Sequence, residues 1–276
     1  GENDKMINAD FHTHSTYCDG KNTLEEMLDA AIDKKMAAIG FSGHSHTSFD
    51  ESYCMSKEDT EKYIRDILLM KKRNKDDIEI YLGIEKDRFT DMTEFDRFDY
   101  VIGSVHYVLK DGYYIPVDES VDAFKENIEK YYGGDYYAFC EDYYELLSSI
   151  ADDSSVSIIG HFDLVTKFNE NDCIFDTSDK RYISAVNEAI YRLAASGKIL
   201  GINTGDISRG YRKEPYASED ILVKWRKLGG KIIFSGDAHS TEGLCYAFEN
   251  ARKTAEKCGF KKACILKNNE FIEISL

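Results

Sequence analysis

Positive charge is scarce in this chain. Its 276 residues contain 35 lysines and arginines against 51 aspartates and glutamates, so the formal net charge is -16. An acidic surface repels nucleic acids and anionic membranes, and we therefore expect neither as a partner. An anionic substrate has to be attracted by local cations, and bound metal ions are one source of them.

Long apolar runs and paired cysteines are missing as well. No apolar stretch approaches the roughly 20 residues that span a bilayer, and the first five residues do not resemble a signal peptide. The seven cysteines are odd in number and form no CxxC pair, which disfavours a disulfide framework or a zinc ribbon. These features favour a reducing, cytoplasmic location.

Proline is rare, and no repeat or low-complexity linker divides the chain. Short apolar runs alternate with amphipathic stretches along its whole length, which is typical of parallel strands covered by helices. A barrel of this kind takes about 250 residues. We therefore predict a single α/β domain over residues 1–276 with seven strands, at residues 6–12, 37–42, 78–84, 100–105, 156–159, 199–203 and 231–235.

Helix start signals lie between these strands. Thr23 and Glu26 have the spacing of a capping box, and Ser56 stands three residues before Asp59 at the start of a second amphipathic stretch. Further helices are predicted over residues 178–196, 218–228 and 242–257. The chain should end in a hairpin that turns at Asn268-Asn269.

Residues 117–150 are too many for a simple connection within a barrel. This stretch is rich in tyrosine and is predicted to be an inserted pair of helices. Aromatic residues at helical spacing usually pack a helix onto its neighbours. The alternative is a lid over the substrate, because a tyrosine ring can pack while its hydroxyl reaches a polar partner.

Histidine is also scarce, yet all seven histidines follow predicted strands, and several have a carboxylate beside them. The carboxyl ends of parallel barrel strands meet on one face. Imidazole and carboxylate ligands together suit Zn, Mn or Fe, and one tetrahedral ion needs fewer ligands than this chain offers. We therefore predict two or three ions, with candidate ligands at His12, His14, Asp19, His44, Glu85, His106, His161, Asp237 and His239.

Two of the residues near this face have alternative roles. Asp19 precedes Gly20 and is also compatible with a simple turn. His46 is a candidate for a substrate contact or a support for a ligand. Both are also candidate proton donors, together with a metal-bound water.

Cationic side chains near the predicted site are few. Arg209 and Arg212 lie in the polar loop after the sixth strand, and Lys167 follows His161 by six residues. A guanidinium fork matches the geometry of phosphate, so these three are candidate phosphate ligands, the alternative being a solvated loop. The sequence shows neither a phosphate-binding P-loop nor a GxSxG nucleophile elbow, and the chemistry is therefore assigned to the metal ions.

The histidine and carboxylate motifs resemble those of the PHP (polymerase and histidinol phosphatase) superfamily, and the resemblance covers essentially the whole chain. It implies a distorted TIM-like (β/α)7 barrel with a trinuclear metal centre, which agrees with the seven predicted strands. It also implies three ligand sets, with Glu85 shared between the first two: His12, His14, Glu85 and Asp237; Glu85, His106 and His161; Asp19, His44 and His239.

Within this superfamily the chain is most similar to the stand-alone histidinol-phosphate phosphatases. The similarity includes the motifs Tyr53-Cys54-Met55-Ser56, Gly160-His161-Phe162-Asp163 and Glu214-Pro215-Tyr216. The chain departs from the family pattern at Lys167, where an arginine is expected, and at Ser42-Gly43-His44-Ser45-His46, where many members have Thr-Asp-His.

This similarity implies hydrolysis of a small phosphomonoester, with L-histidinol phosphate as the first choice. A metal-activated water would attack phosphorus, while Arg209 or Arg212 neutralises the phosphate oxygens. Glu51, Asp163 and Asp206 are candidates to receive the ammonium and imidazole groups of that substrate.

Three other functions agree with parts of the pattern. One is a PHP-type phosphoesterase for nucleotides or nucleic-acid ends, although polymer binding needs a cationic stripe that the sequence lacks. A second is an amidohydrolase-type C–N hydrolase, which also uses an HxH motif and a late aspartate but often carries a bridging lysine where Glu85 stands here. The third is a metal-binding or sensory protein without catalysis.

Overall fold

The computed structural model describes residues 8–276, so the start of the first predicted strand lies outside the described residues. The strands, in chain order, are β1 (Ala9–Asp10), β2 (Ala38–Phe41), β3 (Glu79–Asp87), β4 (Tyr100–Ser104), β5 (Tyr107–Lys110), β6 (Tyr113–Pro116), β7 (Ile158–Ile159), β8 (Ile199–Asn203), β9 (Ile232–Ser235), β10 (Lys262–Lys267) and β11 (Glu270–Ser275).

The α-helices follow the strands and cover the sheet. They are α1 (Leu24–Asp33), α2 (Lys57–Arg73), α3 (Val121–Tyr132), α4 (Tyr136–Ser148), α5 (Lys180–Ala195), α6 (Gly205–Ser208), α7 (Glu219–Lys227) and α8 (Phe248–Lys257). Short 3-10 turns occupy Ser149–Asp152, Leu164–Thr166, Glu170–Asp172 and Thr241–Gly243.

Seven parallel strands form the central sheet, in the order β1-β2-β3-β4-β7-β8-β9. Its two edges meet at the carboxyl ends of β1 and β9, where Thr13 and Ala238 form a parallel bridge. His14 N donates to Ala238 O over 2.8 Å, and Ala238 N donates to His12 O over 3.0 Å. The sheet is thus a nearly closed barrel, which confirms the predicted TIM-like (β/α)7 architecture.

Asp10 strengthens this closure from inside the barrel. Its carboxylate accepts hydrogen bonds from the backbone N–H groups of Gly236 and Cys245, both over 3.0 Å. A side chain at position 236 would collide with Asp10, because an ideal Cβ there would lie 1.9 Å from Asp10 Oδ2. Glycine at 236 therefore lets the first and last strands approach each other.

The helix starts follow the local chemistry of the sequence. Thr23 and Glu26 form the predicted capping box, with Thr23 Oγ1 accepting from Glu26 N and Glu26 Oε2 accepting from Thr23 N. Ser56 caps α2 by accepting from Asp59 N over 3.0 Å. These side chains satisfy backbone donors that a helix start leaves free.

One predicted helix begins later than expected. The stretch predicted over residues 242–257 forms α8 only from Phe248 onward. Cys245 and Ala247 have φ angles of 53° and 55°, a left-handed conformation that cannot continue a right-handed helix. The amphipathic pattern did not reveal this local reversal.

Two hairpins stand outside the barrel. The predicted one, β10–β11, turns at Asn268 and Asn269, which have φ angles of 51° and 62°. The other, β5–β6, was not predicted, although its turn at Asp111-Gly112 has the same left-handed geometry, with φ angles of 50° and 82°. Asp-Gly is a strong hairpin signal, so the sequence did contain the information.

Helices α3 and α4 occupy the stretch predicted as a helical insertion. Tyr143 and Tyr144 of α4 are fully buried. The Tyr143 hydroxyl lies 3.0 Å from Phe162 O and donates to it, and the Tyr144 hydroxyl lies 2.9 Å from that of Tyr182. The tyrosines of α4 therefore pack this helix against the barrel and α5.

All seven cysteines are free thiols. Between residues 8 and 276, each helix is too short or too polar to cross a bilayer.

Candidate metal centre and active site

All nine candidate ligands meet at the carboxyl end of the barrel. His12 and His14 follow β1, Glu85 lies in β3, and His106 follows β4. His12, His14 and Glu85 are buried, whereas the side chain of Asp19 is 34% exposed. The cluster is therefore closed toward the barrel and open on the side of Asp19.

The first predicted ligand set has the spacing of a metal site. Glu85 Oε2 lies 3.2 Å from His12 Nε2 and 3.4 Å from His14 Nε2. Asp237 Oδ1 lies 3.5 Å and 3.1 Å from the same two nitrogens. Ligands about 2.1 Å from a tetrahedral zinc ion are about 3.4 Å from one another. These four atoms can thus surround one ion as they stand.

The second set uses the other oxygen of Glu85. Oε1 lies 3.4 Å from His106 Nε2 and 3.3 Å from His161 Nε2, and the two nitrogens are 3.1 Å apart. Asp87 Oδ2 lies 3.0 Å from His106 Nδ1, so Nδ1 can donate to it and leave Nε2 free for a metal. Glu85 is therefore placed to bridge two ions.

The third set lies at the open edge of the cluster. Asp19 Oδ1 is 3.4 Å from His44 Nε2 and 3.2 Å from His239 Nε2. His14 contributes Nδ1 at 3.7 Å from the same oxygen, which the predicted set did not include. His44 also turns Nδ1 toward Glu85 Oε2, 3.1 Å away. This group thus shares side chains with both of the others.

Several buried atoms in the cluster have no hydrogen-bond partner among residues 8–276. They include both ring nitrogens of His12, Nε2 of His14, Nδ1 of His44 and Oε2 of Glu85. Buried polar atoms are nearly always satisfied, since leaving one without a partner costs about 1–3 kcal/mol. Among them, His12 Nε2, His14 Nε2 and His44 Nδ1 lie within 3.4 Å of Glu85 Oε2, and divalent metal ions fit as the missing partners of these four atoms.

The charges of the cluster shift the pKa values of its histidines in opposite directions. Burial alone lowers the pKa of His12, but the Asp237 and Glu85 carboxylates overcome it and raise that pKa to about 9. Burial, together with His239 and His44, lowers the pKa of His14 to about 3. Without bound ions, His12 is therefore protonated at neutral pH, whereas His14 is neutral.

The carboxylates respond in the opposite sense. Burial by itself raises the pKa of Glu85, but His12, His44 and His106 hold it well below its usual range. Glu85 is consequently ionised and able to ligate a metal at any physiological pH.

The cluster forms the floor of a cavity of about 680 Å³. One wall carries the cations Lys167 and Arg209. A second part of the lining is aromatic and acidic and comes from the loop after β2, the β5–β6 hairpin and the segment after it, where Asp118 adjoins Lys167. Its residues are Phe49, Asp50, Ser52, Tyr53, Tyr107, Gly112, Tyr113, Tyr114, Pro116, Asp118 and Glu119.

Arg209 and Lys167 flank the buried carboxylate of Asp206. Arg209 Nη2 donates to Asp206 Oδ1 over 3.1 Å, and Lys167 Nζ lies 3.6 Å from the same oxygen. Arg209 Nη1 donates to the backbone oxygen of Asp237 over 2.8 Å. Two of the three predicted phosphate ligands, Arg209 and Lys167, thus line the cavity beside the metal cluster.

The structure does not bring Arg212 into this cavity. Its Nη1 donates to Oγ1 and O of Thr166, over 2.7 Å and 3.2 Å, and its guanidinium lies 4.4 Å from the centre of the Tyr216 ring. Arg212 therefore stabilises the 3-10 turn that precedes Lys167, by hydrogen bonds to Thr166. Its predicted role as a direct phosphate ligand does not fit this position.

His46 is likewise separated from the metal cluster. Its Nδ1 lies 2.5 Å from Asp91 Oδ1, and its Nε2 lies 2.7 Å from Glu51 Oε1. Both ring nitrogens are thus engaged by carboxylates outside the cavity lining. This geometry argues against the predicted role of His46 as proton donor or substrate contact.

The carboxylates predicted to receive the substrate's cationic groups are also dispersed. Glu51 pairs with His46, and Asp163 accepts a hydrogen bond from Ser218 N over 3.1 Å and does not line the cavity. Asp206 lines it but is already bonded to Arg209. Asp118 lines it too and was not predicted.

The tyrosines of α3 and α4 do not line the cavity within residues 8–276. The rings at its mouth belong to the β5–β6 hairpin instead. The contacts of Tyr143 and Tyr144 agree with the first of the two predicted roles of this segment, which is to pack the inserted helices onto the barrel.

Comparison with known proteins agrees with this geometry. The family model described as "PHP domain" matches residues 10–205. The chain is 28% identical over 264 residues to a probable histidinol-phosphatase of Deinococcus radiodurans, covering 91% of this chain and 94% of that protein. It is 27% identical over 267 residues to a histidinol-phosphatase of Bacillus subtilis, covering 88% and 98%.

A solved structure shares the fold. The histidinol phosphate phosphatase of Lactococcus lactis, determined with Zn, L-histidinol and phosphate, superposes with a TM-score of 0.70 at 21% identity, covering 96% of this chain and 99% of that one.

Proposed function

The chain belongs to the PHP domain family, and on that premise we propose that it hydrolyses L-histidinol phosphate to L-histidinol and phosphate with the help of divalent metal ions. The observation that carries this proposal is the convergence of nine potential ligands beside a cavity that Lys167 and Arg209 also line. The names of the relatives from Deinococcus radiodurans and Bacillus subtilis support the choice of substrate.

The proposed metal content is two or three ions of Zn, Mn or Fe. The first two ions would share Glu85, with His12, His14 and Asp237 on one side and His106 and His161 on the other. A third would use Asp19, His44 and His239. When bound, such ions activate a water for attack on phosphorus and offset the charge of the phosphate.

The protein's own cations would hold the phosphate group. Arg209 presents a guanidinium fixed by Asp206 and by the Asp237 backbone, so its donors are oriented before substrate arrives. Lys167 adds a second positive charge from the neighbouring turn. Of the two side chains predicted to protonate the leaving oxygen, only Asp19 lines the cavity.

Several broader expectations belong to the same proposal. The protein would act as a single domain over residues 1–276, in the reducing cytoplasm, without nucleic-acid or membrane partners. The net charge of -16 and the free thiols support these expectations. Glu85, at the position where amidohydrolase-type enzymes often carry a lysine, supports phosphoester over C–N hydrolysis.

The test is phosphate release from L-histidinol phosphate beside a nucleoside monophosphate and 4-nitrophenyl phosphate, with metal content measured on the same preparation. We expect a strong preference for histidinol phosphate that is lost on chelation and restored by added ions. Bound metal without this preference would refute the substrate, and full activity without metal would refute the chemistry.

A further inference from the structure

The cavity lining carries side chains of both charges, and this mixture bears on which phosphate esters it accepts. Lys167 and Arg209 stand on one wall, and carboxylates outside the metal cluster line the cavity too. A substrate that carries only a phosphate needs the cations alone. Carboxylates near a phosphate site repel phosphate, so their presence calls for a positive group elsewhere on the substrate.

Most of these carboxylates are already satisfied or exposed. Both oxygens of Asp50 accept hydrogen bonds, from Ser52 and from the Tyr107 hydroxyl at 2.7 Å. Asp206 accepts from Arg209 and from the Tyr216 hydroxyl. Glu119 is exposed to solvent.

Asp118 differs from these three. Its side chain is 32% exposed, and its carboxylate accepts no hydrogen bond from residues 8–276; its nearest cation, Lys167 Nζ, is 3.7 Å from Oδ2. Asp118 lines the same cavity as the predicted ligands His106 and His161. Asp118 is therefore a cavity carboxylate with free acceptor capacity, close to the metal cluster.

We propose that Asp118 receives a positively charged amine of the substrate and makes the enzyme selective for amine-bearing phosphomonoesters; this inference rests on the proposed phosphatase function. In an amino alcohol phosphate the amine stands two carbons from the ester oxygen. Lys167 Nζ and Asp118 Oδ2 are 3.7 Å apart, so a cation for the phosphate and an anion for the amine lie as close together as these two groups of the substrate.

Aromatic residues that line the same cavity as Asp118 complete this site. Phe49 and Tyr114 stack with ring centroids 3.7 Å apart, and Tyr107 meets Phe49 edge to face at 4.9 Å. A planar ring attached to the amine-bearing carbon can pack against this wall, since aromatic pairs contribute beyond the area they bury.

The Asp118→Asn variant tests the role of the charge with little disturbance of its surroundings. Lys167 Nζ donates to the backbone oxygen of Asp118 over 3.3 Å, and this bond survives the substitution. Glu119→Gln is the matched control, because it removes an adjacent, exposed carboxylate from the same wall. Circular dichroism and metal content verify that both variants are folded and loaded.

The measurement is the ratio of kcat/KM for L-histidinol phosphate to kcat/KM for 3-(imidazol-4-yl)propyl phosphate. The second ester differs from the first only in having a hydrogen atom in place of the amine. We expect Asp118→Asn to lower this ratio by about 10- to 100-fold, the range for losing a charge-assisted hydrogen bond. Glu119→Gln should leave the ratio close to that of the native protein.

The outcomes separate this inference from the proposed function. A native preference for the amine that survives Asp118→Asn would overturn the role of Asp118 and leave the function standing. An equal loss on both substrates would also overturn it, since Asp118 would then act through the metals or Lys167. A native protein that hydrolyses both esters equally well would overturn this inference alone, whereas a metal-loaded native protein that hydrolyses neither would overturn the proposed function and the inference with it.

Discussion

Ser104 donates a hydrogen bond of 2.7 Å to Oε1 of Glu85. This bond fixes the rotation of the carboxylate at the centre of the metal cluster, with Oε2 turned toward His12 and Oε1 toward His161. A bridging carboxylate needs such support, because small rotations would favour one ion over the other.

Ser104→Ala should therefore weaken metal binding without removing any ligand. We expect metal affinity to fall by about 10- to 100-fold, as for other losses of a group that orients a ligand. Glu85→Gln should lose more, since it removes the bridge itself. Metal titration followed by elemental analysis measures both, with the exposed Glu94→Gln as control; native affinity in Ser104→Ala would contradict the assignment.

After metal removal, the thermal stability of the protein should fall as the pH becomes alkaline. In the metal-free protein the pKa of His12 is raised from 6.5 to about 9 by Asp237 and Glu85 against the effect of burial. Its stabilising contribution is therefore complete below pH 6.5 and lost as pH rises through 9, on the order of 3 kcal/mol. Thermal unfolding of chelated protein between pH 6 and 10 should show a falling Tm.

Added divalent ions should raise Tm across the same range. An ion at 100 times its Kd stabilises the folded state by about 2.7 kcal/mol per site. A chelated protein whose Tm does not change between pH 7 and 9.5 would show that His12 is not held by the two carboxylates.

The two arginines of the β8 loop should respond differently to removal. Arg209→Ala should lower kcat/KM by about 10²- to 10³-fold, the usual effect of losing an oriented donor at a reacting anion. Arg212→Ala should lower it by about tenfold or less, because Arg212 acts through the turn at Thr166. Steady-state kinetics decides, and equal losses would place Arg212 in the cavity after all.

His46→Gln should leave the pH dependence of kcat unchanged. His46 is enclosed by Glu51 and Asp91 and does not line the cavity, so it cannot exchange a proton with the substrate. We expect kcat within about threefold of the native value, typical for a residue outside the reacting groups. If the acidic or the basic side of the kcat–pH profile disappeared in His46→Gln, His46 would be the proton donor that the sequence predicted.

The sequence predicted the barrel and the ligand cluster well, because both follow from repeating patterns. Apolar runs of strand length marked all seven barrel strands, and each candidate ligand except Asp19 stands at or near a strand end. The carboxyl ends of parallel strands must converge, so residues as distant as His12 and Asp237 were expected together.

Side-chain direction beyond the strand ends was not predictable in the same way. His46 follows His44 by two residues, yet it turns toward Asp91, and Arg212 follows Arg209 by three but faces Thr166. In loops no regular period fixes these directions. Asp118 escaped notice for a related reason, since it reaches the cavity only through the β5–β6 hairpin.

The contacts of Asp10 with Gly236 and Cys245 span 226 and 235 positions of the sequence. During synthesis the first strand and its two histidines emerge long before the last strand that supplies Asp237. The predicted set of His12, His14, Glu85 and Asp237 is complete only when the barrel has closed on itself. Uptake of the ion proposed for this set would consequently report the end of folding, and a chain stopped before β9 would have most of the candidate ligands but lack Asp237.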